Sequence, residues 1–173
     1  MVMKTLIMLN GPMGVGKTTV GRMLKDKLHQ SVFLDGDWCW DMHPFTVTPE
    51  TKAMAIDNVT YLLRNFLGCS ECEYVIFNWV MDQQEVYQEL LTGLSDREFE
   101  LLTITLLCSE EALEKRWYAD TLNDWRIEEW LEVSRKSLNW FAERDTLKID
   151  TSDLAADQVA DRIELELQQL RKN

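Results

Sequence analysis

A stretch near the start of the chain has the composition and spacing of a phosphate-binding loop. Residues 11–18 read Gly-Pro-Met-Gly-Val-Gly-Lys-Thr, which fits the pattern G-x-x-x-x-G-K-[ST] without a gap. Glycines let backbone N–H groups approach an anion closely, and the N-terminus of a following helix favours phosphate. A lysine here reaches the β- and γ-phosphates of a nucleotide, and the hydroxyl after it ligates Mg²⁺. We therefore predict that the nucleotide is bound by Gly11, Pro12, Met13, Gly14, Val15, Gly16, Lys17, Thr18 and Thr19.

Two residues of this loop have further predicted roles. We expect Lys17 to be catalytic and Thr18 to ligate the metal. The alternative is that the glycines form only a turn into a helix, with both side chains solvated in its first turn. We also expect Lys17 to face solvent when the loop is empty.

The surrounding segments predict the elements that position this loop. An apolar run at residues 3–9 ends in Asn-Gly-Pro and predicts a buried strand. Strand-like runs then alternate with helical patterns, which predicts an α/β domain whose parallel sheet lies between helices. The further predicted strands are 31–35, 74–80, 99–107 and 146–150, and the predicted helices are 17–28, 49–68, 83–94, a segment opened by the capping signal at Ser109, 126–142 and 154–171.

Composition limits the classes of partner. The chain has 173 residues and a net charge of −12, which suits a single domain over 1–173 and opposes general attraction to nucleic acid or anionic membranes. No apolar run has the length of a membrane span, and the start lacks the cleavage site of a signal peptide. The cysteines follow no disulfide framework. We expect a cytoplasmic protein, and its oligomeric state is not indicated.

Polar residues follow the second and third predicted strands. Asp35 and Asp37 lie in Leu-Asp-Gly-Asp-Trp at the end of the second strand, and Asn78 and Trp79 end the third. Ligands of an open α/β sheet bind beyond the carboxyl ends of its strands, so these side chains are candidates for a site. The alternative is a turn in which the aspartates accept hydrogen bonds from the backbone.

Four segments, in this order, resemble the P-loop kinases of small molecules. They are NGPMGVGKTTVGRML, FLDGDWCW, LLCSEEALEKRW and IDTSDLAADQVADRI. The chain is similar to shikimate kinase, gluconate kinase, chloramphenicol phosphotransferase and the nucleotide kinases over nearly its whole length, although only the first segment is highly specific. The resemblance implies a P-loop NTPase fold, a three-layer sandwich with a five-stranded parallel sheet in the order 2-3-1-4-5. It also implies ATP and Mg²⁺ as cofactors.

The resemblance assigns roles to the two aspartates. By position, Asp35 helps to hold metal-bound water and Asp37 accepts the proton of the acceptor hydroxyl. Many P-loop NTPases end their third strand with an aspartate, whereas this chain has Asn78. A neutral amide lacks the negative charge that a carboxylate ligand brings to Mg²⁺. The metal would then depend on Thr18, Asp35 and phosphate oxygens.

Arginines in the segment after the fourth strand match the lid of these kinases, which we place around residues 117–130. By position, Arg116 covers the adenine ring, Arg126 is the lid arginine, and Arg135 contacts phosphate or a substrate anion. Arg64, on the long helix, is expected to face the acceptor. The alternative is that these arginines are solvated partners of nearby acidic residues at helical spacing, namely Glu114, Glu128, Glu129 and Glu132.

Tryptophans accompany the same strand ends. Trp38, Trp40 and Trp79 come just after strands two and three, where they could form an aromatic pocket for a flat or apolar substrate. Packing in the core is the alternative for each of them. The predicted substrate-binding residues are Asp37, Trp38, Arg64, Trp79 and Arg135.

These features predict an ATP- and Mg²⁺-dependent kinase that phosphorylates a hydroxyl or phosphate group of a small molecule. The predicted catalytic residues are Lys17, Asp37, Arg126 and Arg135. One alternative is a nucleotide-binding regulatory protein without a small-molecule acceptor, and another is a protein that binds nucleotide for stability alone. The absence of N-K-x-D weakens a GTPase interpretation. Whether the acceptor is anionic or aromatic is left open.

Overall fold

A computed structural model describes residues 3–120 and 126–171, and a parallel five-stranded sheet lies at its centre. The order of the strands is β2-β3-β1-β4-β5, so the predicted order is confirmed. The central strands β1 and β3 are buried along their whole length, as expected of a parallel sheet between helices, whereas the edge strand β5 buries only Ile149. The strands are β1 Thr5–Asn10, β2 Ser31–Asp35, β3 Tyr74–Asn78, β4 Glu100–Leu107 and β5 Leu147–Asp150.

Helices cover both faces of the sheet. Residues of α1 and α6 pack with one face of the central strand β1, and residues of α2 and α3 pack with the other. The three-layer P-loop NTPase fold predicted from the sequence is therefore confirmed. The helices are α1 Lys17–Lys27, α2 Pro49–Gly68, α3 Gln84–Gly93, α4 Glu110–Ala119, α5 Glu128–Glu143 and α6 Ala156–Leu170, with a 3₁₀ turn at Gly36–Trp40.

Capping residues mark the N-termini of two of these helices. Thr48 begins α2 with a capping box, in which its hydroxyl accepts from the Thr51 backbone N–H at 3.2 Å. Ser109 begins α4 in the predicted way, since its hydroxyl accepts from the Ala112 N–H at 3.2 Å. Across residues 3–120 and 126–171, none of the helices has the length and apolar character that crossing a membrane requires.

The register of the sheet brings three strand ends together. Asp35 at the end of β2 lies opposite Asn78 at the end of β3, and Asn78 lies opposite Leu9 of β1. Because the strands are parallel, the segments that follow them leave the sheet at one edge. The glycine-rich loop and the two aspartates therefore meet at this carboxyl edge.

Candidate active site

The glycine-rich loop joins β1 to α1 in a conformation that needs its glycines. Gly11, Gly14 and Gly16 have φ angles of +139°, +81° and +107°, which L side chains rarely adopt. At Gly11 space also forbids a side chain, since a Cβ there would lie 2.4 Å from the Leu106 carbonyl oxygen. The loop therefore curls tightly against β4 and leads its backbone into the N-terminus of α1.

Two buried polar side chains that the sequence analysis did not single out hold this loop. The Asn10 side-chain oxygen accepts from the Gly11 N–H at 2.9 Å and the Met81 N–H at 3.0 Å, and its amide donates to the Met81 carbonyl. Asn10 thus ties the loop to the segment after β3. Ser134 of α5 donates to the Met13 carbonyl at 2.6 Å. An asparagine at the end of an apolar strand is a signal that could have been read, whereas a serine inside a helix gives none.

Lys17 lies inside the loop, so the expectation that it faces solvent is wrong. Its ammonium donates to the carbonyls of Gly11 at 2.8 Å and Pro12 at 2.9 Å, and only 8% of the residue is exposed. Burial lowers the pKa of Lys17 to about 8, although the charges of Asp37 and Asp35 oppose this shift. The loop carbonyls therefore hold the ammonium within the loop.

Thr18, Asp35 and Asn78 form a hydrogen-bonded cluster beside the loop. The Thr18 hydroxyl donates to the Asp35 carboxylate at 2.7 Å, and Asp35 is only 4% exposed. In the amide orientation that satisfies both of its polar atoms, Asn78 donates to Asp35 at 3.1 Å and accepts from the Thr18 backbone N–H at 2.9 Å. That N–H group lies in the first turn of α1, where backbone N–H groups have no acceptor within the helix. Asn78 therefore caps α1 and orients Asp35 at once.

Asn78→Asp is expected to make the stability of the protein depend on Mg²⁺. The substitution puts a second carboxylate about 3 Å from Asp35, and like charges at this distance disfavour the folded state unless a cation lies between them. We expect a lower melting temperature without Mg²⁺ and a larger rise on adding MgCl₂ than wild type shows. Asn65→Asp, on the exposed side of α2, is the matched control. Equal Mg²⁺ responses in all three proteins would contradict a cation site at this cluster.

Asp37 is held by the tryptophan at the end of the neighbouring strand. The Trp79 indole N–H donates to the Asp37 carboxylate at 3.1 Å, and its ring packs on the backbone of Gly36. Asp37 lies at the solvent-facing mouth of the site, yet its surroundings raise the pKa of the carboxyl. Partial loss of hydration raises it most and the charge of Asp35 adds to this, whereas Lys17 and the Trp79 hydrogen bond lower it. A carboxylate with a raised pKa is a stronger base than an ordinary aspartate.

Gly36→Ala is expected to displace this tryptophan. A Cβ at position 36 would lie 2.4 Å from the Trp79 ring carbon Cγ, a distance that requires the indole to move. We expect a loss of about 1–3 kcal/mol in the free energy of unfolding, measured by urea denaturation. Gly68→Ala is the control, because the nearest atoms there lie 3.9 Å away, on the Arg97 side chain. A Gly36 variant as stable as the Gly68 variant would show that Trp79 is not packed as described.

A cavity of about 360 Å³ opens between the glycine-rich loop, Arg116 and the start of α6. Arg116 forms one wall, and its guanidinium donates to the Val15 carbonyl at 3.1 Å, the Thr151 hydroxyl at 2.9 Å and the Thr151 carbonyl. Arg126 forms another wall, where it pairs with Asp120 at 2.7 Å. Other lining residues include Gly14, Gly16, Thr19, Ala119, Leu154 and Val159. The structure therefore brings the loop, Arg116 and Arg126 together, although residues 121–125 of the expected lid lie outside the described ranges.

The other two arginines lie among partners of their own. Arg135 of α5 pairs with Glu114 at 2.7 Å and Glu128 at 3.4 Å, and it also contacts Glu132. Arg135 is thus placed among acidic partners, as in the alternative, with Glu128 and Glu132 on its own helix and Glu114 on α4.

Arg64 lies away from the expected acceptor site. Its guanidinium donates to the Gly93 carbonyl at 2.9 Å and pairs with Asp96 at 2.6 Å. Arg64 is one turn from the end of α2, which leads into the start of β3, so it lies at the amino edge of the sheet. The physical reason is the length and direction of α2: its N-terminus lies at the carboxyl edge, and this arginine comes about four turns later.

The tryptophans after β2 and β3 are placed on different sides. Trp38 packs edge-to-face on Phe33 at 5.5 Å and lies against Arg22 of α1, with 53% of its surface exposed. Trp79 is instead half-buried and packs against the core between the sheet and α2, beside Phe77. The structure therefore places Trp79 at Asp37 and Trp38 on the α1 side of the sheet.

Comparisons with known proteins agree with this architecture. A family model described as AAA domain matches residues 7–137. The tunicamycin resistance protein of Deinococcus radiodurans is 22% identical with a TM-score of 0.69, and 95% of each chain is covered. A search of curated proteins gives no match.

Two enzymes of known structure are similar as well. A gluconokinase from Sinorhizobium meliloti is 16% identical with a TM-score of 0.70, covering 99% of this chain and 95% of that one. Shikimate kinase from Acinetobacter baumannii, in complex with shikimate, is 24% identical with a TM-score of 0.66, covering 99% and 96%. At these identities the similarity shows the fold, which is that of P-loop kinases of small molecules.

Proposed function

The chain belongs to the AAA domain family, and we propose that it is a kinase that transfers the γ-phosphoryl group of ATP to a hydroxyl or phosphate of a small molecule. The proposal treats residues 1–173 as one catalytic domain with a lid around 117–130. The observation that carries it is the meeting of the glycine-rich loop with Asp37 at one edge of the sheet. This arrangement supplies a phosphate site and a base side by side.

ATP would bind across the loop. Its phosphates would face the backbone N–H groups of Gly14 and Gly16 and the N-terminus of α1. Lys17 would exchange the carbonyls of Gly11 and Pro12 for phosphate oxygens. Its positive charge would then lie against the phosphoryl group to be transferred. The cavity beside Arg116 would receive the base and sugar.

Thr18 and Asp35 fit a magnesium ion. Carboxylate and hydroxyl oxygens are ligands that Mg²⁺ prefers, and this buried carboxylate lies 2.7 Å from the hydroxyl. We propose that they hold Mg²⁺ together with phosphate oxygens, directly or through water. When bound, Mg²⁺ neutralises charge on the phosphate oxygens. Asn78 would keep both residues in place through its hydrogen bonds to them.

Asp37 would accept a proton during the transfer step. The acceptor oxygen forms a bond to the γ-phosphorus while the bond from that phosphorus to the β,γ-bridging oxygen breaks, and ADP leaves. The hydroxyl proton passes to the Asp37 carboxylate, whose raised pKa favours its acceptance. Trp79 keeps the carboxylate oriented by its indole hydrogen bond.

An ADP-release assay tests the proposal. The full chain is incubated with ATP, MgCl₂ and a panel of hydroxylated metabolites, nucleosides, sugars and antibiotics. We expect at least one compound to raise ADP release well above the rate without acceptor. Nucleotide binding with no acceptor-dependent release across the panel would favour the regulatory alternative.

The proposed lid predicts slower amide exchange when nucleotide is bound. Arg126 and Asp120 line the cavity, so residues 117–120 and 126–130 are expected to become protected on closure over ATP. Hydrogen exchange with and without a non-hydrolysable ATP analogue measures this. Residues of α2 at the amino edge, around Arg64, serve as an internal control. Unchanged exchange in both segments, despite measured binding of the analogue, would count against a lid.

A further inference from the structure

We propose that the acceptor is an uncharged or cationic hydroxyl compound with an aromatic or apolar body, and not a carboxylate or phosphate. This inference rests on the proposed kinase function and names the substrate class of the same site. It follows from which charges and which apolar surfaces the fold places beyond the ends of β2 and β3.

Three segments surround the acceptor side of Asp37. The 3₁₀ turn and the segment 41–48 lead from β2 to the N-terminus of α2, and residues 79–83 lead from β3 to α3. All of them lie at the carboxyl edge, because the strands are parallel and α2 starts there. Asn58 of α2 donates to the Cys39 carbonyl at 3.1 Å, which holds the helix against the turn.

These segments and the start of α2 are acidic. Residues 36–57 and 79–83 contain no arginine, and Lys52 is their only lysine. They contain five acidic residues, namely Asp37, Asp41, Glu50, Asp57 and Asp82. An anion bound here would lose its hydration and face like charges, which disfavours binding by both effects.

The arginines that could have offset these charges are engaged elsewhere. Arg64 is bound to Gly93 and Asp96 at the amino edge, and Arg135 is surrounded by glutamates. Arg22 lies against the ring of Trp38, on the α1 side. Lys17 is the lysine of the phosphate loop and serves the nucleotide. No paired or bidentate arginine site for an anion is therefore present among the described residues around Asp37.

The same region exposes apolar side chains. Phe45 is 62% exposed, Val47 55% and Met54 40%, and they follow each other along the path from the turn into α2. The Phe45 ring packs on Trp40, with centroids 5.3 Å apart. Apolar surface beside a polar reaction centre is typical of small-molecule sites. An aromatic or aliphatic body would cover these side chains.

Three matched compounds test the charge preference. Each has a phenyl ring and a hydroxyl: 3-phenylpropane-1,2-diol is neutral, phenylalaninol is cationic and 3-phenyllactate is anionic. Binding is measured by tryptophan fluorescence on the full chain with a non-hydrolysable ATP analogue and MgCl₂. We expect the neutral and cationic compounds to bind at least about tenfold more tightly than phenyllactate. Equal or tighter binding of phenyllactate, or no binding by any of the three, would overturn the inference.

Variants of the apolar surface locate the binding. Phe45→Ser and Val47→Ser are each expected to weaken the binding of the neutral and cationic compounds by about three- to tenfold. Tyr61→Ser, at another exposed aromatic position of α2, is the control and is expected to change nothing. Affinity unchanged by the first two variants would also overturn the inference.

ADP release separates this inference from the function on which it rests. Tight binding of the neutral compounds with no ADP release from any acceptor would contradict the kinase proposal and leave the binding preference standing. ADP release stimulated by shikimate or gluconate, but by no neutral or cationic acceptor, would contradict the inference and leave the kinase standing.

Discussion

Asp37→Asn is expected to slow phosphoryl transfer to a hydroxyl by about 10²–10⁴-fold, the usual contribution of a positioned base. Asparagine keeps the size of the side chain and can still accept the Trp79 hydrogen bond, but it cannot take up the hydroxyl proton. The loop contacts of ATP are unchanged, so nucleotide affinity should stay near that of wild type. Single-turnover rates and the Kd of an ATP analogue, measured on the same preparation, provide both values.

Two further variants serve as controls for this expectation. Asp41→Asn changes another exposed carboxylate of the same segment and should keep most of the activity. Asp35→Asn should instead raise the Mg²⁺ concentration that half-maximal activity requires. Wild-type turnover by Asp37→Asn on the true acceptor would mean that the base lies elsewhere, with Asp82 and Asp41 as the next candidates.

Lys17→Ala is expected to leave the fold intact and to reduce phosphoryl transfer by roughly the 10²–10³-fold that loss of one electrostatic stabiliser produces. In the proposed function the lysine is the cation that contacts the phosphates, and its ammonium lies 2.8 Å from the Gly11 carbonyl. Burial lowers its pKa to about 8, which shows that the fold holds the charge against a desolvation penalty. Its removal should therefore not lower the free energy of unfolding much.

Urea denaturation and activity per folded molecule check the two parts of this prediction. Ser134→Ala is a useful companion, because it removes a hydrogen bond to the loop without removing its charge. If Lys17→Ala unfolded the protein while its folded fraction kept wild-type activity, the phosphate role of Lys17 would be wrong.

The sequence was sufficient for the fold because its signals were local. The central strands β1 and β3 are short apolar runs, and the helices show apolar periodicity or a cap such as Ser109. The glycine pattern of residues 11–18 placed the loop between β1 and α1, where the structure has it. Alternation of strands and helices then gave the parallel sheet, and the family resemblance gave its order.

The side-chain partners at the site could not be predicted in the same way. Arg116 and Arg135 flank the proposed lid, yet Arg135 is surrounded by glutamates and Arg116 by backbone carbonyls of the loop and of Thr151. That difference depends on tertiary packing between α4 and α5. The expectation that Lys17 faces solvent is wrong because its ammonium finds acceptors within its own loop.

Direct detection of the phosphorylated acceptor tests the central claim most directly. The full chain is incubated with γ-labelled ATP, MgCl₂ and the acceptor that gives the strongest ADP release, with Lys17→Ala and Asp37→Asn in parallel. The kinase proposal predicts labelled acceptor in an amount equal to the ADP formed by wild type, and little or none with either variant. Label released only as inorganic phosphate, or an equal yield from wild type and both variants, would contradict it.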